Sequence, residues 1–176
     1  MASFNTPHGA SREPDAAVRT HLPESSEGFA ESLLRLEDIH REKLAVCDQL
    51  EAIADSLPAE INRQRCLYAA KAIAQIVRQA HRFEETTVFP AISARFPGAP
   101  NLADTLRRLQ FEHCEDEGFA DELSDALHRL AAGDPRVHPE TIGYMLRGFF
   151  TTVRRHIAFE REHLIGATRG LANSQS

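Results

Sequence analysis

Three segments of the sequence place a glutamate four residues after a histidine. The pairs are His81 with Glu85, His113 with Glu117, and His156 with Glu160. Residues four positions apart in an α-helix lie on one face, one turn apart. Each pair therefore presents a ring nitrogen and a carboxylate oxygen to one site. Imidazole and carboxylate groups bind iron, manganese or zinc, so the pattern predicts a metal site.

A further histidine, His40, precedes the three pairs and completes a regular arrangement along the chain. His40 and His81 are 41 residues apart, and His113 and His156 are 43 residues apart. The chain thus contains two similar halves, a placement that suits two metal ions bridged by two carboxylates. Four histidines with two or three glutamates also exceed the ligands that one tetrahedral zinc ion takes.

The elements that must position these residues are helices. Apolar residues recur with helical spacing throughout, and no alternating β-branched pattern predicts a strand. The amphipathic stretches cover about residues 28–56, 59–95, 101–132 and 139–167. The breaks between them contain Pro58, Pro97–Pro100 and Gly133–Pro135. Because short breaks force antiparallel neighbours, the sequence predicts an all-α, up-down-up-down antiparallel four-helix bundle.

One histidine lies on the apolar stripe of each predicted helix. Groups at one height in such a bundle are equidistant from the turn that joins their helices. The midpoint of His40 and His81 is residue 60.5, that of His81 and His113 is 97, and that of His113 and His156 is 134.5. Each midpoint falls close to a predicted break. The four histidines should therefore lie in one layer inside the core.

Composition limits the classes of function. The net charge is −6 and the sequence pI is about 5.8, which disfavours a nucleic-acid partner. No apolar run approaches the length of a membrane span, and the first residues do not resemble a secretory signal. Three cysteines lie far apart without a CxxC pair, which fits a reducing compartment. We therefore expect a cytoplasmic protein with no membrane or nucleic-acid partner.

The predicted domain organisation is simple. Residues 1–26 are rich in proline, serine, glycine and charge, and they predict a flexible N-terminal tail. Residues 27–170 form the predicted bundle, and residues 171–176 form a short C-terminal tail.

The motifs together resemble the hemerythrin family, specifically its HHE cation-binding domain. The resemblance covers roughly residues 28–168 and includes HRFEE followed by VFPAI, then FEH, then HIAFE followed by REHL. It implies a non-haem di-iron centre with an oxo or hydroxo bridge. By motif position, His40 and His81 bind one iron ion, His113 and His156 bind the other, Glu85 and Glu160 bridge them, and Glu117 is a further ligand.

Two departures from the oxygen-carrying hemerythrins bear on function. Glu117 stands where the carriers have a second histidine on the third helix, and Glu160 follows His156 by four residues instead of five. These features are more similar to bacterial di-iron proteins associated with the repair of nitrosative damage and iron centres. They also resemble the iron-sensing hemerythrin domain of a ubiquitin-ligase subunit. The resemblance implies a protein that binds or senses O2, NO or iron.

Two further residues are predicted close to the ligands. Glu84 would be an additional ligand, would hydrogen-bond to one, or would be a solvated surface acid. His163, one turn beyond Glu160, would support the site from outside or belong to the core.

Other classes of metal protein remain open at the level of sequence. A ferritin-like di-iron bundle uses Glu-x-x-His motifs, which occur here at Glu37–His40 and Glu160–His163. That alternative leaves His81, His113 and His156 unexplained. A non-redox zinc or manganese module, or an iron-storage bundle, would use the same ligand types.

Overall fold

The computed structural model describes residues 26–166, and within that range the chain consists of helices joined by short turns. The helices are α1 (Ser26–Ser56), α2 (Arg63–Phe83), α3 (Phe89–Arg95), α4 (Leu102–Ala132) and α5 (Pro139–Glu160). Two π-helical segments, Glu84–Val88 and Arg161–Gly166, follow α2 and α5. No strand occurs among the described residues, so the all-α prediction is confirmed.

The predicted tails fall almost entirely on residues 1–25 and 167–176, which lie outside the described residues. Ser26, predicted as the last residue of the N-terminal tail, is instead the first residue of α1. No described helix is both long and apolar enough to cross a membrane.

The helix ends follow local capping chemistry. Helix α2 begins four residues later than predicted because the Asn62 side chain accepts a hydrogen bond from the Arg65 backbone N–H (3.0 Å). Helix α4 ends at Ala132 and is capped by Gly133, whose φ of 76° is left-handed and accessible to glycine at little cost. Pro139 occupies the first turn of α5, where its missing N–H costs nothing. These caps fix the relative height of the helices.

The second helix of the predicted bundle consists of α2, the first π-helical segment and α3, joined without a break. The backbone N–H of Phe89 bonds to the Glu84 carbonyl five residues earlier, which is π-helical geometry. The next residue, Pro90, has no N–H to offer to the Thr86 carbonyl. An α-helical ladder therefore cannot continue unbroken through this point, and the wider turn absorbs the defect.

A polar layer divides the core into two apolar clusters. The long cluster includes Leu50, Ile73, Leu123, Leu127 and Phe149. The short cluster includes Leu36, Val88, Ile92, Leu109 and Leu164. On α4, for example, His113 lies between Leu109 of the short cluster and Ala120 of the long one. The helices pack mainly as α2 on α4 and α1 on α5, with α4 also touching α5 and α1 touching α2.

Leu123→Ala should destabilise the protein by about 3 kcal/mol, because Leu123 is completely buried in the long cluster and its loss leaves a cavity. Urea unfolding followed by circular dichroism measures the change. Leu34→Ala is the matched control, since Leu34 is 63% exposed on α1 and should change stability by less than about 0.5 kcal/mol. Equal midpoints for Leu123→Ala and the parent protein would contradict this packing.

The cysteines should differ sharply in reactivity. Burial raises the pKa of the Cys47 thiol to about 11 and also raises the pKa of Cys66, whereas Cys114 is exposed. Thiolate is the reactive form, so in native protein at pH 8 only Cys114 should react quickly with Ellman's reagent. The other two thiols should react once the chain is unfolded. Rapid reaction of either remaining thiol in native Cys114→Ser would contradict the buried positions.

Candidate metal centre

Four histidine rings from four helices meet in one layer of the core, as the positions of the turns predict. His40, His81, His113 and His156 are each at most 3% exposed. The rings of His81 and His113 are stacked with centroids 3.9 Å apart, and the His156 ring lies 5.2 Å from His113. His40 joins the layer through Glu160, with 2.9 Å between its Nε2 and the Glu160 Oε2.

Two carboxylates, Glu84 and Glu160, are completely buried within this layer. Glu84 Oε2 lies 2.9 Å from His113 Nε2, and Glu160 Oε2 lies 3.6 Å from His156 Nε2. The sequence motif identified Glu160, and the structure places it in the layer. Glu84 was predicted as an additional ligand, as a hydrogen-bond partner of a ligand or as a surface acid. The structure places it as the inward carboxylate that follows α2.

The structure places Glu84 and Glu85 differently from the arrangement that the motif implies. Glu85, predicted to bridge the metal ions, does not share the inner cluster: its side chain is 37% exposed and accepts a hydrogen bond from His113 Nδ1 (2.7 Å). Residues three and four positions after His81 both lie on its face of a helix, so spacing allows either glutamate to point inward.

Glu117 also lies outside the inner cluster. Its side chain is 36% exposed and accepts a hydrogen bond from His81 Nδ1 (3.1 Å). Glu112, which sequence reasoning missed, accepts from His156 Nδ1 (3.2 Å) in the same way. Since a carboxylate only accepts, the Nδ1 atoms of these rings carry the protons and their Nε2 atoms are free to bind a metal.

These outer carboxylates form a recurring pattern around the histidines. A histidine that binds a metal usually donates its other ring N–H to a carboxylate, which fixes the orientation and tautomer of the ring. His81, His113 and His156 each have such a partner. Glu112 immediately precedes His113 in the sequence, but adjacent residues in a helix point in different directions. Its position beside His113 therefore gave no reason to expect a contact with His156.

His163 lies apart from the two groups of inward ligand atoms. It is exposed in the second π-helical segment, and its ring packs 4.2 Å from that of Phe159. None of the contacts described for His163 joins it to the histidine layer, so its predicted supporting role stays a prediction. The change of helical geometry after Glu160 removes the simple one-turn relation on which that prediction depended.

Many polar atoms inside the layer have no hydrogen-bond partner. They are the inward atoms His81 Nε2, His113 Nε2, His156 Nε2, His40 Nδ1, both oxygens of Glu84, Glu160 Oε1 and Lys43 Nζ. Although His113 Nε2 and Glu84 Oε2 are 2.9 Å apart, they lack hydrogen-bond geometry. Each unsatisfied buried group costs about 1–3 kcal/mol, so a concentration of inward donor atoms is what a cation-binding site requires.

The inward atoms form two groups that share Glu84. The first group contains His81, Glu84, His113 and His156, and the second contains His40, Glu84 and Glu160. Within each group the ligand atoms lie within 4.8 Å of one another, which is close enough to surround one metal ion. His81 was predicted to share a metal with His40, but its stacking on His113 brings it into the first group instead.

Burial and nearby charges shift the pKa values of the layer in different directions. Burial lowers the pKa of His113, but Glu84 and Glu85 hold it above the ordinary value. Burial, followed by the positive charge of Lys43, lowers the pKa of His81 strongly, so its imidazole is neutral. Burial alone would raise the pKa of Glu160, but His156, His40 and Lys43 hold it well below the ordinary value. A neutral ring and an ionised carboxylate are the forms that bind metals.

Lys43 is the second residue of this site that sequence reasoning missed. It lies three residues after His40 on the same face of α1 and is only 3% exposed. Burial lowers the pKa of its ammonium, but Glu84, Glu160 and Asp116 together hold that pKa above the ordinary value. Lys43 is therefore a charged group buried beside the candidate metal ligands.

Comparison with protein families finds that the hemerythrin HHE cation-binding domain matches residues 33–168. Comparison with curated proteins and with solved structures finds no match for the chain. The matched range contains every histidine and carboxylate of the layer and covers most of the chain. This protein therefore belongs to the hemerythrin HHE cation-binding domain family.

Proposed function

We propose that the histidine layer is a non-haem iron centre for two iron ions, and that the protein uses it to bind or sense O2, NO or iron. The observation that carries this proposal is the convergence of unsatisfied imidazole and carboxylate atoms in two groups that share Glu84. Membership of a cation-binding family supports it independently. Stress response or repair of iron centres is the cellular role that we propose.

Each residue of the layer has a distinct role in this proposal. His81, His113 and His156 would hold one ion, and His40 with Glu160 would hold the other. Glu84 belongs to both groups and would bridge the ions, the role that the resemblance assigned to Glu85. Glu85 and Glu117 would orient the rings from outside by accepting hydrogen bonds from their Nδ1–H groups.

The surroundings of the layer suit a small apolar ligand. Apolar clusters cover it on both sides, and the Phe89 ring packs on His113 with centroids 5.7 Å apart. Side chains of this kind exclude water and admit diatomic molecules more readily than polar ones. Reduced iron with imidazole and carboxylate ligands supplies electrons to such a ligand.

We propose that the helices have the up-down-up-down antiparallel arrangement. Contacts between α1 and α5 support it, because Arg147 pairs with Asp55 (2.9 Å) and the later Arg154 pairs with the earlier Asp48 (2.8 Å). Residue numbers therefore rise along α5 as they fall along the facing side of α1. The reducing compartment implied by three free cysteines fits a cytoplasmic protein.

Zinc or manganese is the alternative occupant, since both accept the same ligand types. A non-redox metal module or an iron-storage bundle would then replace the redox function. The elemental content of the purified protein distinguishes these possibilities.

Protein purified from iron-supplemented cells should bind up to about two iron ions per chain at saturation. Its absorption spectrum should change on reduction and again on addition of O2 or NO. His113→Ala should lose most of the iron, whereas His128→Ala should retain it, because His128 is exposed on the same helix and bonds to its own backbone at Ser124. Bound zinc with no iron and no spectral response would contradict the redox proposal.

Glu84→Gln should lower metal affinity by more than about 100-fold, and Glu85→Gln by about tenfold, because only Glu84 lies among the inward ligand atoms while Glu85 orients a ring. The substitutions are chemically identical and adjacent, so each is the control for the other. Competition with a coloured chelator measures both affinities. A larger loss for Glu85→Gln would restore the order predicted from the sequence.

A further inference from the structure

Lys43 and Lys71 are the lysines of the sequence, and they have opposite environments. Lys71 is exposed on α2, whereas Lys43 is buried on α1 beside the histidine layer. Its Nζ lies 3.7 Å from Glu84 Oε1 and has no hydrogen-bond partner. A buried ammonium is expensive unless nearby charges compensate it, so its position requires an explanation.

The charges facing Lys43 are the carboxylates that belong to the candidate ligands. Glu84 and Glu160 raise its pKa, as does Asp116 from α4. Lys43 also lines a small cavity together with apolar residues that include Val77, Phe149 and Val153. Lys43 therefore lies between the carboxylates of the layer and an apolar part of the core.

The two groups of ligand atoms differ strongly in composition. The first group has three imidazoles and one carboxylate, whereas the second has one imidazole and two carboxylates. Glu84, which both groups share, is the nearest carboxylate to the ammonium. A metal ion in either group shares Glu84 with this ammonium, but only the second group also contains Glu160, the other inward carboxylate whose charge acts on Lys43. An ion in the second group therefore shares both of its carboxylates with a positive charge already buried there.

We propose that Lys43 acts as a built-in cation that competes with a metal ion at the position formed by His40, Glu84 and Glu160. The three-histidine group then fills first and holds its ion tightly, and the second ion binds more weakly and exchanges readily. This inference rests on the proposed metal-binding function and adds an inequality between the two positions. It concerns affinity and does not depend on which metal the cell supplies.

The physical basis is repulsion in a medium of low polarity. Charges a few ångströms apart interact far more strongly in a buried site than in water, and Lys43 has almost no exposed surface through which to be screened. In the metal-free protein the same ammonium balances part of the charge of Glu84 and Glu160. Removal of Lys43 should therefore weaken the metal-free fold while improving the second metal position.

Titration of metal-free protein with Mn2+, followed by electron paramagnetic resonance of the free ion, tests the proposal. The parent protein should bind one ion tightly and a second at least about tenfold more weakly. Lys43→Met keeps the stem and removes the charge, so its second ion should bind at least about tenfold more tightly than in the parent. Lys71→Met is the matched control and should retain the parent constants. Metal-free Lys43→Met should also melt below metal-free Lys71→Met.

Each outcome of the titration has a separate meaning. Two results would overturn only the proposed role of Lys43 and leave the metal function standing. One is two equally tight ions in the parent protein, and the other is a second ion whose affinity Lys43→Met leaves unchanged or weakens. Absence of uptake by the parent protein and all variants would overturn the proposed metal function instead.

Two further variants keep the test valid if Lys43→Met fails to fold. Lys43→Gln also removes the charge and retains a polar end, so it should strengthen the second site in the same direction. Lys43→Arg retains the charge and should keep the inequality of the parent protein. Equal second constants for Lys43→Gln and Lys43→Arg would overturn the proposal, and circular dichroism confirms that both variants are folded.

Discussion

Burial of two carboxylates inside an otherwise apolar core is the constraint on which the rest of this structure depends. Glu84 and Glu160 are inaccessible to water and lie between two apolar clusters. Such groups destabilise a fold severely unless opposite charge compensates them. The histidines and the buried Lys43 compensate this charge, as their effect on Glu160 shows. The outer carboxylates orient three of the histidine rings through hydrogen bonds.

The histidine layer was predictable because it depends on regular features of the chain. Each of His40, His81, His113 and His156 lies within an α-helix, and rise per residue is constant there. Proline and glycine mark the turns, so the heights of the four rings follow from counting residues. The class of fold and the family were accessible for the same reason, since both depend on periodicity and on motif spacing.

The identity of the inward carboxylate was not predictable at the same level, because Glu84 and Glu85 flank the direction of His81 in an ideal α-helix and spacing alone favours neither strongly. Contacts with other helices distinguish them: Glu84 Oε2 lies 2.9 Å from His113 Nε2, and Glu84 Oε1 lies 3.7 Å from Lys43 Nζ. Lys43 was missed for a different reason: a lysine near a helix stripe is usually solvated, and only the facing carboxylates from other helices explain its burial.

The two halves of the chain differ in sequence detail, but each places a π-helical segment at its inward carboxylate. Glu84 is the first residue of one π-helical segment, and Glu160 immediately precedes the other. Both carboxylates therefore lie where an α-helix widens, three or four residues after a histidine of the layer. Because π-helical turns concentrate at functional sites, their repetition here fits the position of the two inward carboxylates. The asymmetry of the layer then comes from side chains, above all from Lys43: the matching position on α4, three residues after His113, is the buried acid Asp116.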